Sequence, residues 1–79
     1  MKPVLLNDEF TPREKQVLGF LLEGLSNREI AVRVAIAERT VKFHVSRVLV
    51  KVGKPNRKAL IAGAVRELRE VLNNHIGTD

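Results

Sequence analysis

Hydrophobic residues recur at helical spacing along most of this chain, and no stretch alternates apolar and polar residues as a strand would. Val17, Leu18, Leu21 and Leu22 form a first apolar stripe. Ile30, Ala31 and Val34 form a second, short one. Val41, Val45, Val48, Leu49 and Val52 form a third, at i, i+4, i+7, i+8 and i+11. Leu60, Ile61, Ala64, Val65, Leu68, Val71 and Leu72 form the fourth. The pattern predicts an all-α domain of four helices, with no internal repeat and no low-complexity segment.

Local punctuation gives these stripes ends, the last of them at Leu72 or a little beyond. Thr11-Pro12-Arg13-Glu14 is a capping-box start with proline at the first helical position, and Phe10 before it is placed to act as a hydrophobic staple. Gly24 ends this helix in the left-handed conformation. Ser26-Asn27-Arg28-Glu29 repeats the capping-box spacing and opens a short helix that ends near Val34. Ala35-Ile36-Ala37 is the turn, with Ile36 tucked inward. The third helix runs from Glu38 to about Val52, stopped by Gly53, and Lys54-Pro55-Asn56 connects it to a fourth that runs from about Arg57 to about Leu72. The domain is therefore expected over residues 10–72. Residues 1–9, with Pro3 and Asn7-Asp8-Glu9, read as a flexible lead-in or linker. Residues 73–79, with Gly77 as a breaker, read as a frayed tail.

The polar face of the third helix changes the picture from fold to function. Opposite its apolar stripe stand Arg39, Lys42, Phe43, Ser46, Arg47 and Val50. A short helix, a tight turn and a longer basic helix match the helix-turn-helix plan, whose second helix enters the DNA major groove. Charge supports this. The chain carries +5 overall, yet residues 38–58 hold seven basic side chains against Glu38 alone, so the remainder is slightly acidic. Charge concentrated on one helix and the loop after it fits a phosphate footprint, although a merely solvated surface gives the same pattern.

Other classes find little support. The chain has 79 residues and no cysteine, so it holds one small domain with neither disulfides nor thiolate metal sites. His44 and His75 are isolated, and no metal or cofactor is expected. His44 borders the third stripe and reads as a partly buried core histidine. Glu14 and Glu29 resemble paired carboxylates, but capping explains both, and no nucleophile accompanies them, so no catalytic residue is assigned and an enzyme is not expected. No apolar run approaches the roughly 20 residues of a membrane span and no signal peptide opens the chain, which fits a cytoplasmic protein.

Several motifs in register resemble the LuxR-type helix-turn-helix domain, also called GerE-like or FixJ/NarL-type. They are the TPRE start, EGLSNREIA, RTVKFHV and LVKVG followed by NR, and the resemblance covers about Phe10 to Val65. It implies the C-terminal output module of a bacterial transcription regulator, often placed behind a phosphorylated receiver or a ligand-binding domain. It also implies binding to repeated DNA sites as a homodimer through the fourth helix. The chain departs from the family pattern at three places. Ala37 stands where a serine cap is usual, Val50 where a basic residue is common, and RELREVLNNHIGTD prolongs the last helix.

Residue by residue, Lys42, Phe43, Ser46 and Arg47 are the base-edge candidates. Lys42 is placed for a guanine edge or a flanking phosphate, and Arg47 for bidentate guanine or a phosphate. Phe43 is placed for a thymine methyl, because core packing does not account for an aromatic on this face. Asn27, Arg39, Thr40 and Lys51 are the phosphate candidates; Asn27 serves helix initiation equally well. Ile61, Val65, Leu68 and Leu72 are spaced four, three and four, a heptad-like seam suited to a dimer; the same seam also suits packing on the chain's own core. A small helical module whose basic face binds RNA or an acidic protein is the competing function.

Overall fold

The structure, a computed structural model, describes residues 9–76, with side chains to residue 74. Pro3, Asn7 and Asp8 of the lead-in, Gly77 of the tail and the His75 side chain lie outside the described residues. Four helices follow in order: α1 (Pro12–Leu22), α2 (Asn27–Val34), α3 (Glu38–Val52) and α4 (Arg57–Ile76). No strand occurs among the described residues.

Both capping boxes close as their spacing requires. The Glu14 amide donates to Thr11 Oγ1 at 3.2 Å, and the Thr11 amide donates back to Glu14 Oε1 at 2.9 Å. Ser26 and Glu29 make the same pair at 3.1 and 2.8 Å. These bonds satisfy amides that a helix start otherwise leaves without partners. At the end of α1, Gly24 takes φ +86°, and the Leu25 amide reaches back to the Phe20 carbonyl at 3.0 Å. Gly53 ends α3 in the same left-handed region. The turn between α2 and α3 is less conventional, because Ala35 has φ 56° and ψ 46°. A side chain there crowds the backbone, at about 1–2 kcal/mol. The Ile36 amide bonds to Ala31 O, and Ile36 packs against the core.

The core gathers Phe10, Val17, Leu18 and Leu21 with Ile30, Val41, Val45, Val48 and Leu60. α3 lies at its centre, packed against α1 and α2, while α4 contacts α1 and α3 less extensively and buries Leu60 and Ala64. After Ala64 no described side chain of α4 is buried. Residues 65–74 of α4 thus run on for about 15 Å without a buried side chain. The helix runs to Ile76, a turn beyond Leu72. Asn73 and Asn74 are indifferent helix formers but not breakers, so fraying need not begin before Gly77.

Candidate nucleic-acid interface

The apolar stripe of α3 fixes what the opposite side shows. With Val41, Val45 and Val48 buried, Arg39, Lys42, Phe43, Ser46, Arg47 and Val50 are exposed on one surface. Phe43 is 57% exposed and Val50 80%, which is high for side chains of that size. Phe43, Ser46, Arg47, Val50 and Lys51 line one shallow depression. Thr40 is half-buried at the start of the helix. Ser46 turns its hydroxyl back to the Lys42 carbonyl at 3.0 Å, a local bond that water or a ligand can replace. Phe43 meets the edge of His44, with ring centroids 5.7 Å apart, and His44 itself is half-buried.

Two of the expected contact residues, Arg47 and Lys51, pair with the same carboxylate of α1. Glu14 is only 1% exposed, and its carboxylate receives Arg47 Nε at 3.0 Å on Oε2 and Lys51 Nζ at 2.5 Å on Oε1. Lys51 also donates to the Glu9 carbonyl at 2.9 Å. The Lys51 bond, the Thr11 amide and the Arg47 bond together hold the Glu14 carboxyl down at about 2, against desolvation, which pulls the other way. Lys51 is therefore a strut between α3 and α1, with a side chain only 20% exposed. Arg47 differs. Its side chain is 51% exposed, and its guanidinium carbon lies 5.7 Å from the Phe43 ring centre. The capping role read for Glu14 is present, and this second role, as the anchor of α3, had no local signal. Its partners lie 33 and 37 residues away in the chain.

Asn27 sits half-buried at the start of α2, and its side-chain oxygen accepts from Arg57 Nη2. Arg57 Nη1 also donates to the Leu25 carbonyl at 2.6 Å. The sequence marks Arg57 as the start of the fourth helix and as part of the basic run and the NR motif, but not as a partner of α2. On α4, Ile61 is half-buried, while Val65, Leu68 and Leu72 are about half exposed or more, and Val71 joins them. Among the described residues no three His, Asp or Glu side chains gather as a metal site, and no helix is long and apolar enough to cross a membrane.

The arrangement suits an extended polyanion: a basic helix face with an aromatic in its middle and the core behind it. The sequence is similar to those of known proteins. The chain is 51% identical over 47 residues to the DNA-binding transcriptional activator DevR/DosR of Mycobacterium tuberculosis, covering 60% of this chain and 22% of that protein. It is 43% identical over 56 residues to a putative HTH-type transcriptional regulator of the same organism, Rv0890c, covering 71% of this chain and 6% of that protein. It is 40% identical over 58 residues to the response regulator Rre1 of Synechocystis, covering 73% of this chain and 25% of that protein. The chain thus spans a quarter or less of the length of these relatives. Residues 8–64 match the family described as bacterial regulatory proteins, luxR family, which is most of the chain, and to that family the chain belongs.

Proposed function

We propose that this chain reads DNA sequence for a bacterial transcription regulator by laying α3 in the major groove. The observation that carries the reading is the outer face of α3, where Arg39, Lys42, Phe43, Ser46 and Arg47 stand exposed on a helix whose other side is the centre of the core. Lys42, Phe43, Ser46 and Arg47 are the proposed base-edge contacts. Arg39, Thr40 and the α2 start at Asn27 are the proposed phosphate contacts, which set register. Lys51 adds positive potential to this face while holding Glu14. Because the relatives are much longer than this chain, a receiver or ligand-binding domain elsewhere in such a regulator is part of the proposal. So is a homodimer on DNA through Ile61, Val65, Leu68 and Leu72 of α4. Such a protein acts in the cytoplasm, where bacterial DNA is reached.

The experiment is a titration at one salt concentration with a duplex selected from a random library by the chain itself and with a scrambled duplex of equal composition. Specific binders of this kind favour their site by roughly 10³-fold or more. Equal affinity for the two duplexes overturns the reading and favours a nonspecific polyanion or protein partner.

A further inference from the structure

An arginine that reads a base must present its outer nitrogens in a plane, and a free side chain samples many rotamers before it does so. Arg47 is held at two points. Its inner nitrogen, Nε, donates to Glu14 Oε2 at 3.0 Å, and its guanidinium carbon stands 5.7 Å from the centre of the Phe43 ring. Nη1 and Nη2 have no hydrogen bond to another described residue, and half of the side chain faces solvent. The anchor is rigid in turn. Glu14 is fixed by the capping-box bond from the Thr11 amide and by Lys51, both on Oε1, the oxygen that Arg47 does not use, and it is nearly inaccessible. Lys51 also offsets the carboxylate charge, so the anchor adds little repulsion toward a phosphate backbone.

We infer that Glu14, which lies in α1 and outside the DNA-facing helix, is a positioning residue for base readout: it holds Arg47 through Nε against Phe43, so that the outer edge of the guanidinium is aimed before DNA arrives. This rests on the reading of α3 as the DNA-contacting helix. It assigns part of the sequence discrimination to a side chain that itself touches no DNA. The two possible effects of Glu14 differ in sign. Removing a negative charge near DNA strengthens binding to any duplex, whereas releasing Arg47 weakens binding to the preferred duplex alone.

The test titrates wild type, Glu14→Gln, Arg47→Ala and the double variant against the duplex selected by wild type and against its scrambled counterpart. Glutamine keeps the carbonyl oxygen that caps α1 and removes the charge that holds the guanidinium. Glu14→Gln is expected to lower the ratio of specific to scrambled affinity by about two- to tenfold, the range for freeing one ordered side chain, with scrambled affinity unchanged or higher. The double variant is expected to fall no further than Arg47→Ala alone, because the two residues act through one contact. An unchanged ratio in Glu14→Gln overturns the inference. So does the same fractional loss in the presence and absence of Arg47, which marks a general effect on the fold. If circular dichroism shows Glu14→Gln unfolded, Arg47→Lys decides. Lysine has no planar fork that can be held at an inner nitrogen while two outer ones face a base edge, so a wild-type ratio overturns the inference and a ratio near that of Arg47→Ala supports it. A wild-type chain with no preferred duplex instead removes the DNA-reading function beneath it.

Discussion

Arg57 closes on Asn27 across thirty residues of chain, its Nη2 donating to the Asn27 side-chain oxygen while Nη1 reaches the Leu25 carbonyl. One guanidinium thus ties the first residue of α4 to the entrance of α2. Charged donors on neutral acceptors contribute about 1.5–3 kcal/mol when buried, and less at this half-exposed site. Arg57→Ala is expected to destabilise the domain by about 1–2 kcal/mol, read by urea denaturation. A midpoint equal to wild type assigns the contact no structural weight.

Ala37 offers the opposite case. It occupies the N-cap of α3 with extended backbone, φ −66° and ψ 146°, and supplies no side-chain acceptor. Ala37→Ser adds one without altering the helix. Stability should rise by about 0.5–1 kcal/mol. Thermal unfolding checks this, and a lowered midpoint contradicts it.

How much of this was legible in the sequence depends on the range of the interaction. The helix starts at Thr11 and Ser26 rest on bonds three residues apart, so their spacing states them. The α3 stripe states which side is core, and with it the exposed group at Lys42, Phe43 and Arg47. Pairings across the fold are another matter. Glu14 with Arg47 and Asn27 with Arg57 depend on how helices dock, which no local spacing encodes. Nor does anything mark Ala35 as left-handed, since alanine is a poor choice for that conformation. The end of α4 is legible only to within a turn, because Asn73 and Asn74 resemble a stop without enforcing one.

Acid should loosen the domain in a defined window. The Glu14 carboxyl is lowered from an ordinary 4.5 to about 2, and that of Glu29 is lowered too, chiefly by the backbone hydrogen bond at Ser26. A depressed folded-state value means the charged form is favoured by folding. Its contribution is full above about pH 4.5 and is lost as pH falls toward 2. Stability measured by denaturant titration should decline over that range, and Glu14→Gln should show a shallower decline. Identical pH profiles for the two proteins contradict the assignment.

Phe43 makes a prediction about the DNA rather than the protein. If its exposed ring meets a thymine methyl, replacing that thymine with deoxyuridine removes one methyl group, worth about 0.8 kcal/mol or roughly fourfold in affinity. The loss should be present with wild type and absent with Phe43→Ala. A uridine scan of the selected duplex with no sensitive position places the ring away from any methyl.

The dimer proposal is tested on α4. Leu68 is 58% exposed, so Leu68→Glu should leave helicity intact. Binding to a duplex with two half-sites should lose its cooperativity while binding to one half-site persists, because linkage through DNA supplies the effective concentration a weak contact needs. Retained cooperativity in the folded variant puts the self-association surface elsewhere.

The double duty of Glu14 has a consequence in time. One carboxylate completes the first turn of α1 and seats the middle of α3, so that turn cannot open while Arg47 and Lys51 stay docked. Helix ends usually fray independently, and their amides exchange with solvent long before those of the core. The start of α1 and the middle of α3 are therefore expected to open as one cooperative unit, with the Glu14 amide and the amides of α3 near Arg47 exchanging together, and residues 65–74 of α4, which bury no side chain, exchanging sooner.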